Sequence, residues 1–135
     1  MHPLVCATAL AAIEQYSKYN LVENAAKMGE VLGNRLEELK EDHKSVGDVR
    51  GKGLFWGVEL VKDRETKEPF VTREQKFEPN MLKRISGACM ELGVYVVNII
   101  NILLVAPPLV VGEEDIDKGI GALDEALKVA DREAK

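Results

Sequence analysis

One stretch, residues 45–61, constrains the fold of this chain more than any other. Its second half, residues 54–61, alternates between two sets of side chains, which predicts a β-strand. One set would point to one side of the sheet: Leu54, Trp56, Val58 and Leu60. The other set would point the opposite way: Phe55, Gly57, Glu59 and Val61. Because Glu59 lies on an otherwise apolar strand, we expect it on a sheet face open to water or paired with a nearby base.

The first half of the stretch predicts a second, shorter strand over residues 46–50, so that residues 45–61 form a strand pair. Gly51, Lys52 and Gly53 would make a turn or bulge where the backbone passes close to another group. A phosphate-binding loop is disfavoured here, because the Walker spacing is absent and a strand, not a helix, follows. Lys52 and Arg50 are therefore interpreted as turn or rim residues.

Two helices are predicted before this strand pair, within residues 1–42. The first begins at Pro3, and its apolar run over residues 4–16 indicates burial on more than one face. The second would begin at an Asn20 N-cap with Glu23 as the capping-box acid, and would end near Glu41. Its apolar residues recur at steps of three and four and predict one buried stripe: Leu21, Ala25, Met28, Leu32, Leu36 and Leu39.

A charged segment, residues 62–78, reads as a long loop and is followed by a helix over residues 79–92. That helix would begin at Pro79 and end at Gly93 as a C-cap. Two β-branched runs, residues 94–97 and 102–105, predict a second strand pair within 94–106, joined as a hairpin at residues 98–101.

The last predicted helix covers residues 113–131, with Glu113, Glu114 and Asp115 in a first turn that favours negative charge. Its buried stripe would contain Ile116, Ile120, Leu123, Leu127 and Ala130. Together the elements predict one domain, residues 1–135, with an α/β (α+β) two-layer sandwich architecture. A small, mainly antiparallel sheet would be covered by helices.

The composition limits the classes of function. The chain has 135 residues, 46% of them hydrophobic and 30% charged, with a formal net charge of -5. This acidity argues against nucleic-acid binding and suits a cytoplasmic protein, and no apolar run approaches the length of a membrane span. Cys6 and Cys89 are expected to be reduced, and His2 and His43 have no spacing that would build a metal site with them.

No catalytic machinery is visible in the residues themselves. No Ser/His/Asp or Cys/His arrangement has supporting spacing, and no lysine lies in an apolar run that would favour Schiff-base chemistry. The residues alone therefore predict no catalytic, cofactor-binding or metal-binding side chain in this chain. A free-standing α/β binding or oligomerisation module fits this pattern. Because Met1 leads almost directly into a helix, we also expect a piece of something longer.

Several motifs, in order, resemble the C-terminal small domain of the class III pyridoxal-phosphate aminotransferases of fold type I. These motifs are HPLVCA at residues 2–7, VGDVRGKGLFWGVELV at 46–61, DRETKEP at 63–69 and VAPPLVV at 105–111, followed by Glu113 to Asp117. The family includes ω-amino acid–pyruvate, taurine–pyruvate and 4-aminobutyrate aminotransferases. The resemblance covers the whole chain.

The resemblance implies transfer of an amino group from an amine or ω-amino acid to a keto acid such as pyruvate. It places pyridoxal phosphate and its Schiff-base lysine in a large domain upstream, so the isolated chain is predicted to be inactive and to bind no cofactor. The first helix would connect the two domains, and the intact enzyme would be a homodimer.

The resemblance also assigns substrate-pocket positions. Many members of the family have an arginine that can hold a substrate carboxylate, and the aligned position here is Val97, followed by Asn98. A second family arginine aligns with Leu104. Val97 and Asn98 are therefore expected to be a less basic pocket wall, which would weaken recognition of a substrate anion.

Overall fold

The computed structural model describes residues 2–135, which form four helices and five strands. In chain order the elements are α1 (Pro3–Lys18), α2 (Leu21–Asp42), β1 (Val46–Lys52), β2 (Phe55–Asp63), β3 (Glu68–Pro69), α3 (Met81–Glu91), β4 (Val97–Ile99), β5 (Ile102–Val105) and α4 (Glu113–Asp131). The sheet has the strand order β1-β2-β5-β4, and β3 pairs separately with β2. All pairings are antiparallel.

Helices and sheet form the two-layer α/β sandwich that the sequence predicts. One continuous core lies between the sheet and helices α2, α3 and α4. Its largest fully buried side chains include Leu32, Leu36, Leu60, Leu82, Ile85, Leu103 and Leu127. Most of the core side chains that come from helices belong to the predicted apolar stripes of α2 and α4, although Ala25 and Ile120 are only partly buried.

The β1–β2 hairpin has the predicted alternation but a different turn. Val58 and Leu60 are fully buried, whereas Phe55 is 63% exposed. The turn was predicted at Gly51–Gly53, but Lys52 pairs with Phe55 and the turn lies at Gly53 and Leu54. Gly53 has φ +56°, a conformation that glycine adopts without a steric cost, and so it fixes where the chain reverses.

The β1–β2 hairpin packs closely on α2 because glycines lie at the contact on both elements: Gly29 and Gly33 on α2, and Gly53 in the hairpin turn. A Cβ atom on Gly29 would lie 2.5 Å from Cα of Gly53, and one on Gly33 would lie 2.6 Å from Cζ2 of Trp56. The Trp56 indole N–H donates to the carbonyl of Gly53 at 2.7 Å. The sequence predicted that the backbone at the glycine-rich turn passes close to another group, and that group is helix α2. Trp56 fills the space beside this contact.

Helix α1 differs from its prediction. Its apolar composition predicted burial on more than one face, but none of its residues is buried in this chain. Its exposed large side chains include Leu4, Val5, Leu10, Ile13 and Tyr16. The helix packs on α2, next to it in sequence, so the chain itself supplies no second surface to cover it.

The predicted capping of α2 and the predicted start of α3 are wrong. Asn20 adopts a left-handed conformation with φ 48°, and its side chain makes no capping hydrogen bond, so it is a reversal residue between two helices. Helix α3 begins at Met81, not at Pro79, because Asn80 is the N-cap and its side-chain oxygen accepts from the Lys83 N–H at 3.1 Å. Gly93, with φ +82°, follows the end of α3 as predicted.

The β4–β5 hairpin exists, but its first strand covers residues 97–99 and not 94–97. Ile99 pairs with Ile102, so the turn contains only Ile100 and Asn101. Asn101 is buried, and its side-chain oxygen accepts from the N–H groups of Phe70 and Val71 at 3.1 and 3.3 Å. This buried amide replaces ladder hydrogen bonds and fixes the end of the loop against the sheet.

The charged segment 62–78 is mainly loop, as predicted, but two parts of it are ordered by hydrogen bonds. Strand β2 extends into it as far as Asp63, and β3 pairs with β2. Arg64 donates to the carbonyls of Val46 at 3.0 Å, His43 at 2.7 Å and Lys40. Its guanidinium therefore satisfies carbonyls at the end of α2, where the helix leaves them without partners.

Replacing Gly29 by alanine should lower the free energy of unfolding by about 1–3 kcal/mol, because the new methyl group has no space beside Gly53. Gly121→Ala is the matched control in α4, since nothing beyond its own helix backbone lies within 4 Å of the point that its Cβ would occupy. That variant should gain roughly 0.5–1 kcal/mol from helix propensity. Chemical denaturation measures both values, and a shift of the same sign in both variants would contradict the close contact.

Ile100 has φ +57° at the first central position of its turn, where Gly53 has φ +56° in the other hairpin. A β-branched residue is strained in this conformation. Ile100→Gly should therefore be about 1 kcal/mol more stable than Ile100→Ala, which keeps the Cβ atom in the left-handed region. At an ordinary strand position the alanine variant would be the more stable of the two. Thermal or chemical unfolding measures the stability of both variants, and a more stable Ile100→Ala would show that the backbone here is not strained.

Candidate functional site: the open face of the sheet

The face of the sheet that points away from the helices is the main exposed surface built by the strands. We call it the open face. Its outward side chains alternate with the buried ones along each strand and are Asp48, Arg50, Lys52, Phe55, Glu59, Val97, Ile99, Ile102 and Leu104. All of them are exposed or half-buried. Among residues 2–135, no helix packs over this face.

Register divides the open face into a charged half and an apolar half. Its central row runs across four strands, because Arg50 pairs with Gly57, Gly57 with Leu104, and Leu104 with Val97. The half on β1 and β2 is charged, and the half on β5 and β4 is aliphatic. Gly57, without a side chain, separates the two halves.

Arg50 lies between two carboxylates in the charged half. Its Nη1 donates to Asp48 Oδ2 at 2.6 Å and to Glu59 Oε2 at 2.8 Å. The hydrogen bond from Arg50 holds the pKa of Asp48 below its usual range, and Glu59 and Asp48 together raise the pKa of Arg50. Glu59 thus has a base as its partner, one of the two outcomes expected from the sequence. Since these groups are solvent-exposed, each pair contributes at most about 1 kcal/mol.

The two predicted pocket residues lie on opposite sides of the sheet. Val97 is 38% exposed on the open face and is the direct neighbour of Leu104. Asn98 is half-buried on the helix side, where its Nδ2 donates to Ser86 Oγ in α3 at 3.0 Å. The structure therefore brings Val97 and Leu104 together and directs the Asn98 amide away from them. Their role in substrate binding stays a prediction.

Two concavities lie near the sheet. A groove of about 530 Å³ borders the charged half and is lined by Asp48, Arg50, Glu59, Arg64 and Lys67, among others. A cleft of about 420 Å³ lies between α4 and the segments that flank β4 and β5, and aliphatic side chains form most of its wall. Neither Val97 nor Asn98 lines that cleft.

Among the described residues, no group of three or more His, Cys, Asp or Glu side chains is arranged so that it could hold a metal ion. Every lysine from residue 18 to residue 135 is exposed or half-buried. Cys6 and Cys89 are both free thiols, and burial raises the pKa of Cys89. No helix in residues 2–135 has the length and apolar character needed to cross a membrane.

One cluster of polar side chains could not be predicted from the sequence. His43, Ser45, Asp124 and Asp131 meet at one end of the molecule, and His43 is only 4% exposed. More than 80 residues separate the aspartates from the histidine in sequence. Local spacing could not have revealed the cluster, and the only indication was a histidine directly after a predicted helix.

Comparison with known families gives a match over nearly the whole chain. The family model described as aminotransferase class III matches residues 2–127. The adenosylmethionine-8-amino-7-oxononanoate aminotransferase of Methanocaldococcus jannaschii is 40% identical over 129 residues, which is 95% of this chain and 26% of that protein. The leucine/methionine racemase of Thermococcus litoralis is 38% identical over 127 residues, which is 93% of this chain and 27% of that protein.

A solved structure shows the same fold. The taurine:2-oxoglutarate aminotransferase of Bifidobacterium kashiwanohense, in complex with PLP and glutamate, superposes with a TM-score of 0.89 at 28% identity. The superposition covers 99% of this chain and 30% of that one. This chain therefore spans between a quarter and a third of the length of the proteins it matches.

Proposed function

We propose that this chain, which belongs to the class III aminotransferase family, is the C-terminal small domain of a pyridoxal-phosphate-dependent transaminase. One observation carries the proposal. The family match extends over residues 2–127, while the chain accounts for only 26% of the length of a related aminotransferase. A part of this size with the family's fold is one domain of a larger enzyme, and the reaction chemistry belongs to the rest of that enzyme.

We propose that the residues of this chain do not by themselves bind pyridoxal phosphate. Such a site needs a lysine in apolar surroundings, and the lysines here are exposed or half-buried. In the intact enzyme the cofactor supplies stabilisation of a carbanion, and we place it in the large domain. The isolated chain is accordingly proposed to be inactive. Its own contribution would be to shape the substrate entrance and limit the access of water.

The substrate pair that we propose is an amine or ω-amino acid as donor and a keto acid such as pyruvate as acceptor. The apolar half of the open face supports a donor without a tightly held carboxylate. Val97 and Leu104 are adjacent and aliphatic, and Arg50, on the same row, is already paired with Asp48 and Glu59. A substrate anion would find no free guanidinium at the aliphatic end of this row.

Helix α1 supports the proposed attachment to a large domain. It has 16 residues, and none of them is buried. An isolated helix of this length is marginally stable in water, so its apolar residues need a covering surface. We propose that the large domain of the same polypeptide supplies that surface, that the intact enzyme is a homodimer, and that it is cytoplasmic.

A racemase is the second candidate reaction, because the leucine/methionine racemase of Thermococcus litoralis is 38% identical to this chain. A racemase inverts the configuration of an amino acid and consumes no keto acid, whereas a transaminase needs both partners. A free-standing binding module is the remaining alternative. The lengths of the relatives argue against a free-standing module, since the chain covers only 27% and 26% of the length of two of them.

The proposal predicts that the full-length enzyme converts pyruvate to alanine only when an amine donor and pyridoxal phosphate are present, as measured by chromatography. The 135-residue chain alone should form no alanine and no specific, saturable lysine adduct with pyridoxal phosphate, as measured by mass after borohydride reduction. Inversion of an amino acid without a keto acid would identify a racemase instead. A specific adduct on the isolated chain would contradict the assignment as a small domain.

In the full-length enzyme, Val97→Arg should raise kcat/KM for carboxylate-bearing donors relative to plain amines by about tenfold, because a charge-assisted hydrogen bond is worth roughly 1.5 kcal/mol. Ile99→Arg is the matched control on the same strand and face, one row farther from the Arg50 row. An unchanged donor preference in Val97→Arg, or an equal change in both variants, would show that Val97 does not contact the substrate.

A further inference from the structure

A cleft of about 420 Å³ lies between α4 and the segments that flank β4 and β5, and we call it the α4 cleft. Its helical wall contains four apolar or glycine residues of α4: Ile116, Gly119, Ile120 and Leu123. The opposite wall comes from the residues before β4 and at the end of β5. Apart from Tyr95, Asp115 and Lys118, all lining residues are aliphatic, proline or glycine. This volume and this lining match those of small-molecule sites.

Glycine keeps the helical wall of the α4 cleft open. Beyond its own helix backbone and its chain neighbours, nothing lies within 4 Å of the point that a Cβ atom on Gly119 would occupy. Gly93, on the opposite side of the cleft, has equally open surroundings. A larger side chain at position 119 would therefore enter free space at the cleft without displacing any other group.

Hydrogen bonds fix the segments that form the strand wall. The side chain of Asn24 on α2 donates to the carbonyl of Leu109 at 2.7 Å and to that of Val111 at 3.1 Å. These bonds fasten the segment after β5 to α2. The Val94 N–H donates to the carbonyl of Cys89 at 2.8 Å, which holds the segment before β4 against the end of α3. The cleft is thus preformed, as ligand sites usually are.

The charged groups among the lining residues are exposed and paired with one another. Lys118 Nζ lies 2.9 Å from Glu114 Oε1 and 3.9 Å from Asp115 Oδ1. Because water solvates these side chains, an ionised group of a ligand would gain little from them. A hydrocarbon chain, in contrast, would gain by leaving water for the aliphatic walls. The chemistry of the α4 cleft therefore favours an uncharged, apolar occupant.

Leu104 connects the α4 cleft with the open face of the sheet. It lines the cleft, and on the open face it is the direct neighbour of Val97. We propose that the α4 cleft receives the apolar tail of the amino donor, so that the enzyme prefers amines with a long hydrocarbon chain over short amines. This inference rests on the proposed function, because it needs a donor bound beside Val97 and Leu104.

Binding to the 135-residue chain tests the cleft without the transamination reaction. n-Propylamine and n-octylamine are titrated into the chain, and NMR of the backbone amides follows their binding. We expect n-octylamine to shift the amides of both cleft walls and to bind more than about tenfold more tightly than n-propylamine, because each buried methylene contributes up to about fourfold in affinity. Equal affinity for the two amines would overturn the proposal.

Gly119→Leu tests the location, because the new side chain would occupy the α4 cleft. This variant should lose most of the preference for n-octylamine. Gly121→Leu is the matched control two residues farther along α4, where the Cβ position is equally open but does not line the cleft. It should keep the preference of the wild type. The same preference in both variants would show that the long amine binds elsewhere, for example on α1.

The same variants in the full-length enzyme test whether the donor uses the cleft. With pyruvate as acceptor, kcat/KM should rise by up to about fourfold for each methylene from n-propylamine to n-octylamine. Gly119→Leu should lose most of this rise, and Gly121→Leu should keep it. An active enzyme with no dependence on chain length would contradict the cleft proposal alone and would mean that the large domain covers the cleft. No transamination with any amine would contradict the proposed function, and with it the placement of the donor.

Discussion

The contact between α2 and the β1–β2 hairpin anchors the packing of the whole domain. Gly29 and Gly33 allow the hairpin turn and Trp56 to lie directly on the helix, closer than any side chain would permit. Trp56 then bonds to the carbonyl of Gly53 and closes the space beside the turn. Once β2 is fixed in this way, its partner β5 and the hairpin to β4 are positioned through the sheet register.

This packing also determines what remains exposed. With the inner side chains of β2 and β5 committed to the core, their alternate neighbours must lie on the open face. The result is one surface with an ion-paired half around Arg50 and an aliphatic half around Val97 and Leu104. Helix α1 is a second exposed apolar surface, in addition to the aliphatic half of the open face, and none of its residues is buried in the core. These two surfaces support the proposal that the chain is one domain of a larger enzyme.

Much of the fold could be predicted from the sequence, because its elements have strong local periodicity. The stripes of α2 and α4 and the alternation of β2 are periodic over many residues, and each lies where the pattern places it. Errors occurred at the ends of elements. Asn80 replaced Pro79 as the start of α3, and Asn20 made a reversal and not a cap, since the choice depends on single hydrogen bonds and backbone angles. The hairpin connection was predicted at residues 98–101 and its turn contains only Ile100 and Asn101, because no local preference favours isoleucine in the turn and its position could not be fixed from the sequence.

Less of the candidate site than of the fold could be predicted from the sequence. Residue type and order along the chain were enough to predict the family and the two-layer architecture, whereas the expected place of Val97 and Leu104 in a substrate pocket stays a prediction. Three-dimensional packing was needed to make Val97 and Leu104 neighbours, to turn Asn98 toward α3, and to hold Arg50 between two carboxylates. The same packing brought His43 to two aspartates of α4. The physical reason is that strand register and helix docking join residues far apart in sequence, and such contacts leave no trace in local periodicity.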